Sequence, residues 1–422
     1  MGEINLDNTG SGSSVTLSSD GTSLLLDGTA IGGGGGGADL YAANESSPTA
    51  QPSATGGNAI AIGDSSTAAG ADGVAIGLQA FARAQSALGL FGDAQSTESI
   101  CIGKGSAVSA DGAVQVGRNG YATAVDAVSL GRSRAGGGDS FAAVIDNNTS
   151  SYGASGSNSV AIGALAKATG ADSVSIGESS QATAADAIAL GRTVRSTSSY
   201  ATAMGYNCLS SANYSVALGY QATASGANAI AAGASSTYGE RATASGAGSV
   251  ALGGAYATAT DSVSIGASST TGTTIGKVAF SNDKFSANGD SQHGLFVLRS
   301  DTTDATPEAL VTNTGTAGTT NQIILPNNSA YAFHGTIVAR QQASAGTASA
   351  AWKIEGLIRR EGSAGTTVLV NSATTILDNT PNWGMALSAD TTNGGLKVEA
   401  TGAASTDIRW VATINTSEVT YA

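Results

Sequence analysis

A phrase of small residues returns along this chain at a nearly constant interval. From Ser159 to Gly177 the sequence reads SVAIGALAKATGADSVSIG, in which SV-x-IG occurs twice, fourteen residues apart. Such a period predicts a fold that stacks one structural unit on the next. Longer intervals mark two insertions, 132–158 and 236–249, which we expect to protrude as loops. The closing glycine stands at Gly63, Gly77, Gly103, Gly117, Gly131, Gly163, Gly177, Gly191, Gly205, Gly219, Gly233, Gly253 and Gly266.

Each repeat holds two short runs in which larger and smaller residues alternate. One run is V-A-I-G at 160–163, and the other is A-x-A at 166–168. Alternation with a period of two, interrupted by Gly, Asn, Asp and Ser, is typical of strands joined by turns. Fourteen residues accommodate two strands of about five residues and two tight turns. The repeat therefore predicts one coil of a β-solenoid.

The alternation also predicts which side chains face the inside of a coil. Val160 and Ile162 share one face of their strand, and we expect that face to point inward, opposite alanines. The closing glycine is expected to adopt a positive φ or to allow a close backbone approach. At the other turn we expect short polar side chains that cap their own backbone. These side chains are Asn158, Asp172, Asp186 and Asn228.

The composition excludes several classes of function. The chain has 422 residues and a formal net charge of −13, and it has no Lys or Arg before Arg83, so it lacks the basic clusters that nucleic-acid binding needs. No stretch is long and apolar enough for a membrane helix, and the first residues lack the features of a secretory signal. Cys101 and Cys208 do not suffice for a disulfide framework, and we expect both to be small buried side chains. No cofactor is predicted.

The repeats divide the chain into four parts, residues 1–50, 51–276, 277–320 and 321–422. The first part includes the six glycines Gly32–Gly37, which act as a flexible hinge. We expect this part either to dock on another protein or to form a disordered tail. The second part is the roll. The third part, in which phenylalanines replace alanines, is predicted to be a neck that caps the last coil.

The last hundred residues lack the repeat and contain all three tryptophans. Alternation predicts strands at 333–339 and 352–358, each with one apolar face. The run 396–400 is expected to pair with the run 408–414 as a neighbouring antiparallel strand, and NGG at 393–395 is a strong turn signal. About eight such strands predict an antiparallel β-sandwich at the tip of the molecule.

Candidate catalytic and metal-binding residues are scarce. His293 and His334 have no Cys, His or carboxylate partners at ligand spacing, so neither metal binding nor general-base catalysis is predicted. The aspartates repeat at turn positions, where turn chemistry explains them, so cleavage of a glycan by paired carboxylates is not expected. The rows of threonine are too irregular for an ice-binding surface. We predict that the chain is not an enzyme.

The loop NTPNW is the best candidate for a receptor-binding site, with Asn379, Asn382 and Trp383 as its contact residues. Pro381 stiffens the loop, and the indole of Trp383 offers a flat apolar face for a sugar or a protein contact. The alternative is that Trp383 belongs to the core of the sandwich or to a trimer axis.

The repeated phrases resemble those of a known family. NAIAIGDSSTAAGADGVAIG, NSVAIGALAKATGADSVSIG and YSVALGYQATASGANAIAAG are similar to the head repeats of trimeric autotransporter adhesins, the YadA-like left-handed β-roll. The resemblance covers about residues 57–276 and implies a left-handed parallel β-roll that assembles as a homotrimer. Residues 1–31 and 320–422 resemble terminal segments of phage fibres, including those of phages that infect marine cyanobacteria.

Secreted adhesins of this family carry a signal peptide, a coiled-coil stalk and a membrane anchor, and this sequence displays none of them. Phage fibres use the same roll without those parts. The resemblance therefore implies a phage tail fibre that is part of the virion and is assembled in the host cytoplasm. Its N-terminal segment would attach to a tail or adaptor protein, and its C-terminal tip would contact a glycan or protein on the host-cell surface.

Several alternatives stay open. The alternatives to a receptor-binding fibre are a virion structural or decoration fibre that touches no receptor, a bacterial trimeric surface adhesin, and a polysaccharide depolymerase. Within the fibre hypothesis, contact through the sides of the roll rather than through the tip is a further variant.

Overall fold

The computed structural model describes residues 50–146, 151–233, 241–342 and 346–421 in full. Between residues 4 and 30 it describes the backbone of four strands. The described residues are all β and contain no α-helix, which confirms the predicted fold class. A single 3-10 turn lies at Ala364–Thr366. The expectations for the Gly32–Gly37 hinge fall outside the described residues.

The first compact unit comprises residues 1–122. Its strands are β1 (Ile4–Asp7), β2 (Ser14–Ser19), β3 (Leu24–Leu26), β4 (Thr29–Ala30), β5 (Ser53–Ala54), β6 (Ile60–Ile62), β7 (Thr67–Ala68), β8 (Val74–Ile76), β9 (Phe81–Ala82), β10 (Leu88–Leu90), β11 (Asp93–Ala94), β12 (Ile100–Ile102), β13 (Ala107–Val108), β14 (Val114–Val116) and β15 (Tyr121–Ala122). Strands β1 to β4 form an antiparallel sheet in chain order. From β5 onward the strands belong to the roll.

The roll of the first unit consists of two parallel sheets that the chain visits in turn. The three-residue strands β6, β8, β10, β12 and β14 pair with one another in that order and form the wide sheet. The two-residue strands β5, β7, β9, β11, β13 and β15 form the narrow sheet in the same way. The strands are shorter than the expected five residues because turns occupy the rest of each coil.

The second compact unit comprises residues 123–422 and begins with a further part of the roll. Its roll strands are β16 (Val128–Leu130), β17 (Arg134–Ala135), β18 (Phe141–Ala143), β19 (Gly153–Ala154), β20 (Val160–Ile162), β21 (Lys167–Ala168), β22 (Val174–Ile176), β23 (Gln181–Ala182), β24 (Ile188–Arg192), β25 (Arg195–Ser196), β26 (Thr202–Tyr206), β27 (Leu209–Ser210), β28 (Val216–Tyr220), β29 (Thr223–Ala224), β30 (Ile230–Ala232), β31 (Thr243–Ala244), β32 (Val250–Leu252), β33 (Tyr256–Ala257), β34 (Val263–Gly266) and β35 (Val278–Ser281). The even-numbered strands and β35 form a wide sheet, and the other odd-numbered strands form a narrow one. The parallel solenoid predicted from the repeat is confirmed.

Backbone hydrogen bonds join each coil to the next. The N–H of Val160 donates to the carbonyl of Ser173 at 2.9 Å, and the N–H of Lys167 donates to that of Ser180 at the same distance. The closing glycines adopt the expected positive φ, as at Gly177 (124°). A Cβ atom on Gly177 would lie 2.2 Å from the carbonyl oxygen of Gly191, so the stacking of the coils requires glycine there.

The inward faces of the roll differ from the expectation. In most wide strands the central residue is buried and the residues on either side are not, so Ala161 points inward while Val160 and Ile162 point outward. The expectation that Val160 and Ile162 fill the core is wrong. The turns are so short that the two sheets lie close together, and only small side chains such as alanine and serine fit between them.

Glycine makes room for two of the larger inward residues of the first unit. In the first unit Cys101 is fully buried, and a Cβ on Gly92 would approach its sulfur to 2.6 Å. Likewise Gln115 is fully buried, and a Cβ on Gly120 would lie 2.2 Å from its side-chain nitrogen. Cys208 in the second unit is also buried and free, so both cysteines are the small core residues that were expected.

The first insertion is mostly an ordinary coil. Within 132–158, strands β17, β18 and β19 pair in register with their neighbours in the roll, so most of this segment is not the protruding loop that was expected. Residues 147–150 of this insertion lie outside the described residues. Within the second insertion, 236–249, residues 236–240 also lie outside them, and β31 is an ordinary narrow strand.

The second unit ends in an antiparallel sandwich. Its strands are β36 (Ser291–Thr302), β37 (Pro307–Ala309), β38 (Ile323–Ile324), β39 (Ser329–Gln341), β40 (Ser349–Arg360), β41 (Val368–Asp378), β42 (Gly384–Asp390), β43 (Gly395–Thr401) and β44 (Ile408–Thr420). The larger sheet has the order β36-β44-β39-β40-β41, and β36 also pairs with β35 of the roll. In the smaller sheet β43 pairs with β42, β37 and β38.

The sandwich departs from the sequence expectation at two points. Strands β43 and β44, which were expected to pair, belong to different sheets, and their apolar residues meet across the core instead. Strand β36, which falls in the part assigned to a neck, pairs with β44 along its whole length, and its Phe296 is buried in the sandwich core. The turn signal at 393–395 joins β42 to β43, with Gly394 at a φ of 82°.

Candidate functional site

An apolar ladder follows the outer face of the wide sheet in each unit. Because the small residue of each wide strand points inward, the aliphatic residue on either side of it points outward. The side chains of these residues are partly exposed, and Ile176, for example, is 38% exposed. In the second unit the ladder includes Val160, Ile162, Val174, Ile176, Ile188, Leu190, Val216, Leu218, Val250, Leu252, Val263 and Ile265. We call this surface the outer ladder.

The outer ladder of the second unit continues onto the sandwich. Strand β35 carries Val278 and Phe280 in register with Val263 and Ile265 of the last full coil. On its other side β35 pairs with β36, where Val278 lies opposite Leu295. Further exposed valines follow on the outer face of the larger sheet, at Val297, Val411 and Val338. One apolar surface therefore spans the roll and the sandwich of this unit.

A buried ion pair lies where the roll meets the sandwich. The ammonium of Lys277 is 2.7 Å from a carboxylate oxygen of Glu418, and the two side chains are 5% and 0% exposed. Gln292 donates to the same oxygen, and the hydroxyl of Thr416 donates to the other one, each at 2.7 Å. Burial and the adjacent Glu418 carboxylate hold the pKa of Tyr331 well above its usual value.

Lys277 occupies a position that serine or alanine takes in other coils. The N–H of Val263 donates to the carbonyl of Lys277, as the N–H of Val250 donates to that of Ser262. Lys277 was not predicted as a site residue from the sequence, although a lysine in a row of inward small residues is a visible signal. The pair satisfies both buried charges within the protein, which makes it a structural junction rather than a reactive centre.

An open groove lies beside this junction, lined by Phe280, Phe285, His293, Leu357 and Val419. The loop before β36 is held by Asp290, whose carboxylate accepts backbone N–H groups of residues 285, 286 and 287. Burial would raise the pKa of Asp290, but these N–H donors outweigh it and hold the pKa below its usual value. The groove has apolar walls and contains no assembled set of catalytic groups.

The loop proposed for receptor binding is closed by its own side chains. The amide of Asn379 donates to the carbonyl of Trp383 at 2.8 Å and accepts from its N–H at 2.9 Å. Asn382 is exposed, but Trp383 is only 5% exposed and lies 5.9 Å from Trp410 in the sandwich core. Trp383 therefore presents no flat face to a ligand, and the core alternative holds for its ring. A binding role for Asn379 and Asn382 stays a prediction.

We next describe the side chains that could bind a metal ion or act in catalysis, among the described residues. Within the described stretches, no group of three or more His, Cys, Asp or Glu side chains is placed to hold a metal ion. His334 is exposed on β39, opposite Glu355 of β40 and Asn415 of β44. Burial raises the pKa of the Cys101 thiol to about 11, which makes it a poor nucleophile. In that same part of the chain, no helix has the length and apolar character needed to cross a bilayer.

Comparison with known proteins identifies the repeats. The YadA head domain repeat family matches residues 54–80, 154–177, 168–192, 210–236 and 239–255, all within the roll. The resemblance to YadA-like head repeats is thus confirmed over these segments. No curated protein matches the sequence.

Among solved structures, the crystal structure of the Acinetobacter baumannii phage AM24 tailspike protein aligns with 85% of this chain and 67% of that chain. The identity is 9% and the TM-score is 0.17. A TM-score this low supports no inference about fold or function.

Proposed function

We propose that this chain is one subunit of a homotrimeric phage fibre that attaches to the surface of a host cell. A solenoid of YadA-type head repeats fits a phage fibre or an adhesin. The choice of a phage fibre rests on the resemblance of residues 1–31 and 320–422 to segments of such fibres. On this proposal the chain is part of a virion, and residues 1–50 dock it on a tail or adaptor protein.

The outer ladder is the observation on which the proposed assembly rests. A single chain leaves two rows of mainly Val, Ile and Leu side chains in contact with water along most coils of the second unit. Contiguous apolar surfaces of this kind mark contacts with other molecules. A second and third copy of the same chain, stacked at the same coil spacing, match the rows residue by residue and close the surface around one axis.

The continuation of the outer ladder onto the sandwich supports the same assembly. The exposed valines Val297, Val411 and Val338 lie on the sheet face that follows from β35. Three copies that meet along the roll therefore bring the same faces of their sandwiches together. The tips then form one compact end, and three identical binding surfaces multiply weak contacts into firm attachment.

The function is tested by the binding of purified full-length protein, labelled with a fluorophore, to a panel of bacterial strains. We expect saturable binding to at least one strain, and we expect unlabelled protein to block adsorption of the phage that encodes it. Binding to no strain, with normal virion incorporation, would contradict attachment and favour a structural fibre. Release of reducing ends from the polysaccharide of a bound strain would instead indicate a depolymerase.

A further inference from the structure

Two neighbouring coils place a tyrosine in a turn where most other coils have Asp, Asn, Ser or Gly. Tyr200 and Tyr214 both have a φ of 58°. The equivalent residues are Asp172 and Asp186 in the preceding coils and Asn228 in the following one, with φ values of 56°. Asn and Asp tolerate this left-handed conformation, whereas a bulky side chain is strained in it. Strain that a simple Asn would remove is typical of functional sites.

The stacking of the coils imposes this conformation on whichever residue occupies the turn. The N–H of Tyr200 donates to the carbonyl of Ala185 at 3.1 Å, and the N–H of Tyr214 donates to that of Ser199 at 3.2 Å. The N–H of Asp186 makes the same bond, to Ala171 at 2.9 Å. The left-handed turn is thus a property of the roll, and the tyrosines are not needed to form it.

The two rings stack on each other, and their edges and outer faces are exposed. Their centroids are 4.9 Å apart, their planes differ by 3°, and the residues are 52% and 55% exposed. Neither residue belongs to the buried cluster of the roll, whose nearby members are alanines such as Ala203 and Ala217. The rings therefore add nothing to the core. We call this pair the tyrosine platform.

Polar groups surround the tyrosine platform on all the neighbouring turns. Asp186 precedes it and Asn228 follows it at the equivalent positions, and Ser199 and Asn213 directly precede the two tyrosines. Within the described stretches, no hydrogen bond or cation contact engages either tyrosine side chain. Rigid aromatic faces beside hydroxyl, amide and carboxylate groups suit a pyranose ring, whose C–H face is apolar and whose rim is polar.

A second pair of stacked tyrosines in the same coils is accounted for within the chain. Tyr206 and Tyr220 lie 5.4 Å apart, and the guanidinium of Arg192 lies 5.7 Å from the centre of the Tyr206 ring. Arg192 is itself paired with Glu178 at 3.2 Å, and Gln221 donates to the hydroxyl of Tyr220. These rings lie at strand ends in ordinary extended backbone and one face is already covered, so they serve as a matched control.

We propose that Tyr200 and Tyr214 bind a pyranose unit of a bacterial surface polysaccharide. This inference rests on the proposed attachment function and names its ligand class and its place, the side of the roll rather than the C-terminal tip. A homotrimer presents three such platforms, so a repeating polysaccharide engages them together.

The test compares two double variants of the full-length protein. Y200N/Y214N restores at both turns the residue found at Asn158 and Asn228, so its melting temperature should equal or exceed that of the wild type. Y206A/Y220A removes the control pair. Each protein is titrated with polysaccharide extracted from a strain that the wild type binds. We expect binding to weaken by about tenfold or more for Y200N/Y214N and by less than about twofold for Y206A/Y220A.

Four other outcomes would contradict different parts of the proposal. Unchanged binding of Y200N/Y214N to cells and to polysaccharide would overturn the platform and leave the attachment function intact. If protease treatment of the cells abolishes binding and periodate oxidation of their surface sugars does not, the ligand is a protein and the proposed polysaccharide is wrong. A change in particle mass of Y200N/Y214N would assign the platform to a subunit contact instead. Failure of the wild type to bind any strain would count against the attachment function itself.

Discussion

In the roll, the buried central residue of most wide strands is an alanine or another small residue, and the aliphatic residues beside it face outward. In the sandwich, large residues such as Trp410 and Phe296 are buried and their strand neighbours are exposed. In both regions larger and smaller residues alternate along the strand. The smaller residues face the core in the roll, and the larger residues face it in the sandwich. The distance between the facing sheets decides which side is buried, since short turns leave little space and long strands with loops leave more.

The contrast also separates two sources of stability. The sandwich buries stacked aromatic rings, with Trp352 and Trp410 5.5 Å apart, and gains stability from apolar area. The roll has a thin core and depends on coil-to-coil hydrogen bonds and on whatever covers its outer ladder. Replacements in each region should therefore affect different properties of the protein.

The largest effect on stability is expected from Trp410→Ala. Trp410 is fully buried, and its indole N–H donates to the hydroxyl of Thr302 at 2.9 Å, so truncation leaves a large cavity and an unpaired hydroxyl. We expect the free energy of unfolding to fall by about 4 kcal/mol. Denaturant titration followed by tryptophan fluorescence measures it. Thr413→Ala, on the exposed face of the same strand, is the control, and equal effects of the two variants would refute a sandwich core at Trp410.

Lys277→Met should have the next largest effect, because it leaves the buried Glu418 carboxylate without its cation. We expect a loss of roughly 3 kcal/mol in the free energy of unfolding. The double variant Lys277→Met/Glu418→Met removes both charges and should recover most of that loss. A double variant no more stable than the single one would show that the ion pair is not the cause.

Ala189→Leu and Ile188→Leu test the reversed orientation of the roll directly. Ala189 is fully buried and Ile188 beside it faces outward. Overpacking the thin core at position 189 should destabilise the protein by about 2 kcal/mol, whereas the change at position 188 should cost less than about 1 kcal/mol. Differential scanning calorimetry compares the two. The opposite ranking would restore the orientation first expected from the sequence.

A smaller effect, on reactivity rather than stability, concerns the thiols. With Cys208→Ala, Cys101 remains as the one thiol of the chain and reports on the core of the first unit. Because burial raises its pKa to about 11, little thiolate exists at pH 8, and labelling by a disulfide reagent should be slow until the roll unfolds. Rapid labelling in native buffer would mean that the coils around Cys101 open freely.

The repeat was sufficient to predict the coil, its turns and its glycines, because these depend on local hydrogen bonding and steric limits. The inward face was not predictable in the same way, since V-A-I reads equally well with the alanine inside or outside. The strand that pairs with β43 was predicted wrongly for a related reason. The apolar face of β43 is the same whether β44 pairs with it in one sheet or faces it across the core. Both choices depend on contacts between residues distant in sequence.

Some residues of the candidate sites did leave a signal that could have been found. Tyr200 and Tyr214 stand in a column filled mostly by Asp, Asn, Ser and Gly, and Lys277 stands in a row of small buried residues. Each breaks the pattern of its own position in the repeat. Aligning the repeats by position, and then asking which residues depart from their column, would have identified all three from the sequence.

The outer ladder can be disrupted without disturbing the core of a coil. Ile176→Asp places a charge on the outward side of β22, where a single chain tolerates it in water and an interface between copies does not. We expect unchanged circular dichroism together with loss of the trimer. An intact trimer of the Ile176→Asp variant would contradict an interface at the outer ladder.

The central claim is that the large aliphatic residues of the roll face outward and are covered by further copies of the same chain. Multi-angle light scattering of the full-length wild-type protein in native buffer tests it most directly. We expect a particle with three times the 40.9 kDa mass of the chain. A stable, well-folded particle with the mass of one chain would contradict it.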